Sequence, residues 1–445
     1  MSKHVSKRLS IVSHSKTIDP NRSPRTVCVM GLGYIGLPTA SILAERGYRV
    51  FGVDVRPDVV QAINRGQIHI HEPHLDELVA RVVHDGDLTA ATVPCPADIF
   101  VLCVPTPTHP DMSADVSYVE AAARAIQPHV RRGSLIILES TSPPGTTENI
   151  VVPHAVPDGW KVGQDVFVAH CPERVIPGHI LREVVENDRI VGGVTPACTE
   201  RIAEFYKTFV TGEVLTTNAK AAETAKLVEN SFRDVNIAFA NELSMMCDRL
   251  GLDVYEIIEL ANRHPRVNIL APGPGVGGHC ISVDPWFLVH AAPQQTPLIR
   301  QAREVNNHKP HFVLGQIERA ASSSHAQVIG CLGLAYKADV DDLRESPSLE
   351  IVRELRQRGA CEILACEPYV DAARFQEFPL TSLDEVLRRS DMLVLLTDHT
   401  QFKNLPYEVL KTKTLVDTRG TWRKTLREGA LAAPSRDSTI QSRAA

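Results

Sequence analysis

The stretch Thr26-Val-Cys-Val-Met-Gly31-Leu-Gly33-Tyr34-Ile35-Gly36, read on through Ala44 to Tyr48-Arg-Val-Phe-Gly-Val-Asp54, decides the fold of this chain. Thr26–Val29 is a short β-branched run, which suits a strand. Leu37, Ala40, Ile42, Leu43 and Ala44 recur at helical spacing up to Gly47, and Tyr48–Val53 reads as a second strand ending in an acid. Strand, glycine loop, helix, strand and acid thus follow one another within about thirty residues. In that order Gly31 makes the tight turn, Gly33 lets the backbone approach a pyrophosphate, and Gly36 permits close helix–strand packing. The phosphate then sits at the helix N-terminus, where unpaired N–H groups and the helix dipole favour an anion. Asp54 is placed to bind a ribose diol, which favours NAD over NADP. Arg56, two residues on, is a candidate for a 2′-phosphate and works against that preference. The bland alternative is a purely structural glycine turn.

Outward from this unit, strand-like runs at Ile99–Val104, Leu135–Leu138 and Val166–Ala169 alternate with helical patterns. That rhythm predicts an α/β fold with a parallel, doubly wound sheet. Two strands end in the loops Val104-Pro-Thr106-Pro-Thr108 and Glu139-Ser-Thr141-Ser-Pro-Pro-Gly-Thr146. Ligands of such sheets bind outside the carboxyl ends of strands, so both loops are expected to face the dinucleotide; the other reading of Pro-Thr-Pro is a rigid turn. Asn218–Leu250 holds no proline or glycine and repeats apolar residues at helical spacing. At 1.5 Å per residue it is a helix of about 50 Å, long enough to join two domains and offer a face for dimerisation. Val328-Ile-Gly-Cys-Leu-Gly-Leu334 then restarts the β/α rhythm, with a helix over Pro347–Gln357 and strands at Glu362–Ala365, Met392–Thr397 and Thr414–Val416. The fold expected is two Rossmann-like doubly wound domains joined by a long central helix. The boundaries expected are a tail over 1–25, a dinucleotide domain over 26–215, a central helical region over 216–322, a second Rossmann-like domain over 323–433 and a tail over 434–445.

A chain of 445 residues is long enough for two or three domains. Its 47 basic and 53 acidic residues leave a net charge of −6, which argues against a strongly basic nucleic-acid or membrane-surface protein. No window approaches eighteen uninterrupted apolar residues, so no membrane insertion is expected. The N-terminal residues carry Lys and Arg without a following apolar stretch, unlike a secretory signal. The ten cysteines are scattered without a C-x-x-C, so reduced thiols in the cytoplasm and no metal site are expected.

Cys280 differs from the other nine because it lies in the loop Gly277-Gly-His-Cys280. Glycines let backbone N–H groups approach a ligand, a setting that suits a nucleophilic thiolate and an adjacent oxyanion; a buried structural cysteine is the competing reading. Lys226, Asn230 and Arg233 fall at i, i+4 and i+7 and share a helix face. They form either a solvated stripe or a functional row, the latter favoured by buried-type neighbours such as Phe232 and Phe239. Asp284, before Pro285, is placed to orient a water, to cap the next helix, or both.

In this order, the glycine loop, the Lys/Asn helix, the Gly-Gly-His-Cys loop with its Asp and the second Rossmann-like unit resemble the UDP-glucose/GDP-mannose dehydrogenase family. The similarity runs from about Val27 to Arg423. Longer strings are similar to the branch acting on UDP-N-acetylhexosamines: Asn262-Arg-His264-Pro-Arg266-Val-Asn-Ile-Leu270, Pro272–Cys280, Val283-Asp-Pro-Trp-Phe287 and Glu229–Asn236. The resemblance implies a four-electron oxidation of a sugar C6 alcohol with NAD as cofactor. N-acetylmannosamine is the sugar expected and its glucosamine epimer the alternative. It also implies Cys280 as nucleophile, Lys226 as acid/base or oxyanion stabiliser, Asn230 as its partner, Asp284 as the carboxylate orienting water, and Glu173 as an aid to thioester hydrolysis. Arg174, Val175, Lys226, Asn230, Arg233, His264, Arg266, Gly277, Tyr336, Lys337 and Arg419 would line the substrate, Arg266 reaching in from a neighbouring subunit of a homodimer or larger assembly. Gly31, Gly33, Tyr34, Ile35, Gly36, Asp54, Thr106, Thr141 and Arg344 would contact the cofactor. Pro177 and Val283 stand where the UDP-glucose branch has a second glutamate and a lysine, departures that also suit the N-acetylmannosamine branch.

Overall fold

The computed structural model describes residues 25–432; the tails expected over 1–25 and 434–445 lie, apart from Arg25, outside the described residues. The chain divides between Leu227 and Val228 into two compact units, each built on its own sheet.

The first unit holds eight strands: β1 (Thr26–Met30), β2 (Arg49–Val53), β3 (Leu88–Ala91), β4 (Ile99–Leu102), β5 (Leu135–Leu138), β6 (Phe167–His170), β7 (Arg189–Gly193) and β8 (Val214–Asn218). They lie in the order 3-2-1-4-5-6-7-8. Alternate residues of β1, β4 and β5 enter different cores. Val27, Val29, Ile99, Val101, Leu135 and Ile137 pack on one side; Cys28, Met30, Phe100, Leu102, Ile136 and Leu138 pack on the other. A strand buried on both faces reads as a continuous apolar run, and for that reason these strands were visible in the sequence. The expectation of an all-parallel sheet fails at one junction, where β6 and β7 pair antiparallel. There the helix Ile180–Glu186 and an extended Asn187 return the chain in reverse, and the β/α rhythm gives no sign of it.

The second unit holds β9 (Val328–Leu332), β10 (Glu362–Cys366), β11 (Met392–Leu395) and β12 (Thr414–Asp417) in the order 10-9-11-12, all parallel. Ile329, Cys331 and Val394 face one core; Leu332, Leu393, Leu395 and Trp422 face the other.

The central helix is observed at Ala219–Leu250. A second long helix, Pro297–Ser324, runs through Pro310; nothing in the sequence reading singled it out. The two are held together by buried polar groups. Asp234 accepts from Arg303 Nη1 at 2.6 Å and from Asn306 Nδ2 at 2.8 Å, and Asn241 Nδ2 donates to Asn306 at 2.9 Å. Burial pushes the Asp234 carboxyl up, against the pull of Arg303. Loss of either partner of such a pair would strand a buried charge, at a cost of about 3–5 kcal/mol. Phe232 and Phe239, read from the sequence as buried-type, are instead 71% and 53% exposed in the single chain.

Candidate active site

In the first unit the glycine loop has the geometry its sequence promises. Gly31 has φ +90°, and a Cβ there would lie 2.6 Å from the Cys103 carbonyl oxygen; at Gly36 it would lie 1.8 Å from the Gly31 oxygen. At Gly33 a Cβ would meet nothing within 4 Å, so this glycine faces open space. The following helix, Gly36–Glu45, has no side-chain cap and no acidic residue in its first turn. Its N-terminal N–H groups and dipole therefore suit a phosphate. Asp54 is fixed by the N–H groups of Leu32 (3.1 Å) and Arg56 (3.0 Å), while the Arg56 guanidinium pairs with Asp58 at 2.6 Å. Tyr34 is exposed and Ile35 half-buried beside the loop. These residues fit a dinucleotide.

The strand order reverses between β1 and β4, the position where doubly wound sheets bind ligands. The loops after β4 and β5 lie together there: Thr106 Oγ1 donates to the Thr141 carbonyl at 2.6 Å, and Ser140 Oγ donates to that of Val104 at 2.7 Å. Glu223, buried on the central helix three residues before Lys226, accepts from Thr147 N (2.7 Å), Thr147 Oγ1 (2.6 Å) and Gly145 N (2.5 Å). The helix turn before the half-buried Lys226 is thus fastened to the β5 loop.

Glu173, Arg174 and Val175 follow β6. Glu173 is buried and accepts from Arg189 Nη1 at 2.6 Å and Arg174 N at 2.7 Å; the Arg174 guanidinium donates to the Asp188 carbonyl. Burial works against the charge of Arg189, but the neighbouring acidic groups, Glu173 foremost and Glu139 with it, together outweigh it and hold the guanidinium protonated. A second carboxyl, Glu139, accepts from Tyr206 Oη at 2.6 Å and Cys103 Sγ at 3.3 Å, and burial pushes it up. Sequence reasoning missed Arg189; the available signal was an arginine opening the apolar run Arg189-Ile-Val-Gly-Gly193.

His170, at the end of β6, is fully buried, and burial pushes its imidazole down to about 3. Neither ring nitrogen has a hydrogen-bond partner among the described residues. In the unfolded chain the group titrates near the ordinary value of about 6.5, so the unfolded state binds the proton more tightly. The stability contributed by neutral His170 is therefore complete above about pH 6.5 and is lost as pH falls toward 3, by at most about 5 kcal/mol. Melting temperature measured across pH 3–7 should fall less steeply on the acid side for His170→Leu than for the wild type. Parallel acid limbs would exclude this residue as the cause.

In the second unit, Cys280 is exposed and forms no disulfide. Its carbonyl accepts from the N–H groups of Val283 (3.2 Å) and Asp284 (2.9 Å), so the cysteine sits in the turn that starts the helix Asp284–Ala291. Val283 holds the capping position, which places Asp284 inside the first turn; the capping expectation is corrected accordingly. Asp284 is buried and accepts from Asn230 Nδ2 at 2.6 Å, so two residues 54 positions apart are joined. The glycines before Cys280 lie against Tyr336: an added Cβ would be 2.7 Å from its Cβ at Gly277 and 2.9 Å from its ring at Gly278. Gly278 N also donates to the Arg344 carbonyl at 3.2 Å, and the Arg344 side chain pairs with Asp342. Further along, a Cβ at Gly273 would lie 2.4 Å from Nη1 of Arg419, whose Nε donates to Asp398 at 3.0 Å. The cysteine loop is thus assembled on Tyr336, Arg344 and Arg419, while Lys337 is exposed beside them. Arg233 is exposed on the central helix. His264 and Arg266 are exposed on another loop, closed by paired hydrogen bonds between Asn262 and Ile269.

Comparison with known proteins gives the family of the chain. Three family models match in chain order: the NAD binding domain of the UDP-glucose/GDP-mannose dehydrogenase family over residues 25–210, its central domain over 220–308 and its UDP binding domain over 330–424. The chain is 53% identical over 414 residues to the NDP-N-acetyl-D-galactosaminuronic acid dehydrogenase of Ralstonia nicotianae, covering 89% of this chain and 96% of the relative. It is 49% identical over 421 residues to the UDP-N-acetyl-D-mannosamine dehydrogenase of Escherichia coli K12, covering 89% and 99%. Among solved structures it is similar to the UDP-N-acetyl-mannosamine dehydrogenase Cap5O of S. aureus, with TM-score 0.82, 41% identity and coverage of 89% and 95%. The chain belongs to the UDP-glucose/GDP-mannose dehydrogenase family, as a nucleotide-sugar dehydrogenase with an NAD-binding domain.

Proposed function

We propose that this enzyme oxidises UDP-N-acetyl-D-mannosamine at C6 to the uronate in a four-electron, NAD-dependent reaction, in the cytoplasm and for surface polysaccharide synthesis. The observation that carries the reading is the exposed Cys280 in a glycine loop packed on Tyr336. Hydride loss directly from a C6 aldehyde would leave an acylium cation, so a nucleophile or water must add before the second oxidation. Gly31, Gly33, Gly36 and Asp54 would hold the dinucleotide, and two NAD molecules bound in turn would each accept one hydride.

The remaining chemistry belongs to the chain. Cys280 Sγ, as thiolate, adds to the C6 aldehyde and forms a thiohemiacetal; after the second oxidation C6 is a thioester. Water then adds to that carbonyl, the C–S bond breaks, and the carboxylate leaves as Cys280 regains its thiolate. Lys226 serves as acid/base at the C6 oxygen or stabilises the oxyanion with its charge, and Asn230 assists with its amide. Asp284, through its bond to Asn230 Nδ2, fixes that amide and orients water. Glu173 assists hydrolysis, held in place by Arg189. Tyr336, Lys337 and Arg419 bind the nucleotide, while Arg174, Val175, Arg233, His264, Arg266 and Gly277 line the sugar. The Arg56–Asp58 pair supports NAD over NADP, because it gives the guanidinium a partner other than a 2′-phosphate.

The galactosamine sugar is a second reading, favoured by the 53% identical relative whose name carries it; the glucosamine epimer is a third. Initial rates with the three UDP-N-acetylhexosamines and UDP-glucose decide among them. The mannosamine sugar should give the highest kcat/KM, and a higher value for either other hexosamine would replace it.

We also propose a homodimer or higher homo-oligomer formed along the central helix. Val228, Phe232, Phe239, Met246 and Leu250 are exposed there at spacings of four, seven, seven and four residues, a single apolar stripe. A chain in isolation rarely leaves such a stripe to water. Phe232→Glu should shift the solution mass, measured by light scattering, from a multiple of 48.9 kDa toward that value. A wild type that is already monomeric would refute the assembly.

A further inference from the structure

The loop from Gly333 to Ser346 carries Tyr336, Lys337 and Arg344, and the cysteine loop is fastened to it through Gly278 N. Two of its residues, Asp339 (φ +61°) and Glu345 (φ +49°), occupy the left-handed region that L side chains rarely adopt. Such a conformation persists only where surrounding contacts over-determine it. At Asp339 those contacts come from His399, Tyr369 and Thr400. His399 is fully buried, and its Nδ1 accepts the Asp339 N–H at 2.9 Å. A backbone N–H can only donate, so the ring proton lies on Nε2, which is 2.9 Å from Oε2 of the buried Glu367. The same Glu367 oxygen accepts from Leu334 N (2.7 Å) and Ala335 N (3.0 Å). Burial pushes Glu367 up, but these bonds, that of His399 first, hold it below its ordinary value. The imidazole is packed against the rings of Tyr369 and Phe402. The Asp339 carboxylate in turn accepts from Thr400 N, Thr400 Oγ1 and Tyr369 Oη, and the Thr400 bonds bring it down to about 2. One chain of bonds, Glu367 to His399 to Asp339, therefore clamps the loop at Leu334, Ala335 and Asp339, on both sides of Tyr336 and Lys337.

We infer that His399 and Glu367 are positioning residues for nucleotide-sugar binding: they set the backbone that presents Tyr336 and Lys337 and touch no substrate themselves. The inference rests on the reading that Tyr336 and Lys337 bind the nucleotide. Two near-isosteric variants of the full-length chain separate the contacts. His399→Asn keeps an amide oxygen near the position of Nδ1, able to accept the Asp339 N–H. His399→Gln reaches Glu367 but offers no acceptor there.

The Gln variant should raise KM for UDP-N-acetyl-D-mannosamine about tenfold, the upper end of what one lost intramolecular hydrogen bond contributes. KM for NAD and kcat should move by less than about threefold. The Asn variant should restore KM toward wild type. Hydrogen exchange of the Asp339 amide, followed by mass spectrometry without substrate, should accelerate about tenfold in the Gln variant and stay slow in the Asn variant. Equal behaviour of the two variants in both measurements, or a loss confined to kcat, overturns the inference. If the wild type turns over no UDP-sugar, the functional reading fails; the exchange contrast still decides whether His399 holds the loop.

Discussion

Replacing Cys280 by alanine is expected to lower uronate formation from UDP-N-acetyl-D-mannosamine by more than about 10³-fold, the scale seen when a covalent nucleophile is removed. The residual product should be the C6 aldehyde, trapped with a hydrazine and identified by mass, and no uronate should accumulate. The expectation follows from the exposed position of the thiol and from its loop. Gly277 and Gly278 have no room for side chains against Tyr336, so their backbone fixes where the sulfur stands. The other cysteines make a useful contrast. Burial pushes Cys28, Cys171 and Cys331 up to about 12, which leaves them as thiols, whereas only a thiolate is a competent nucleophile. Cys331→Ala should accordingly leave the number of NADH per sugar unchanged. A Cys280→Ala enzyme that still yields uronate at a tenth of the wild-type rate would remove the thioester from the mechanism.

Replacing Lys226 by alanine is expected to reduce kcat by about 10²–10⁴-fold, the usual contribution of a positioned acid/base or oxyanion group, with KM for the sugar changed far less. Lys226 is half-buried on a helix turn fixed by Glu223, so its backbone is held in place while the side chain is not part of a core. A folded Lys226→Ala protein with an unchanged melting temperature and a kcat within tenfold of wild type would return this lysine to the solvated stripe. Lys226→Arg separates the two roles by its pH profile. Arginine does not deprotonate in proteins, so a basic group essential to the rate would be lost, while a purely electrostatic role would survive in part.

How much of this was legible in the sequence depended on distance along the chain. The glycine loop and Asp54 lie within 24 residues of one another and are read by local rules, and the structure agrees at each glycine. The apolar strands β1, β4 and β5 were legible because both of their faces are buried. Groups that act through long-range partners were not. Glu139 and Tyr206 are 67 residues apart, Asp234 and Arg303 are 69 apart, and Asp339 and His399 are 60 apart. No spacing rule links them; they meet because the sheets and long helices bring them together. Asp284 shows the intermediate case. Asp before Pro predicted a cap, but the helix begins one residue earlier, and the carboxylate is spent on Asn230. Phe232 and Phe239 show the reverse case. Their chemistry says core, and the single chain leaves them exposed, because helical periodicity reports an apolar face without saying what covers it.

The most direct test of the four-electron account is the amount of NADH formed per mole of limiting UDP-N-acetyl-D-mannosamine, with NAD in excess and the product identified by mass. Two NADH per sugar and a C6 carboxylate are the result predicted. One NADH per sugar with an aldehyde product would contradict it and leave Cys280 without its assigned role.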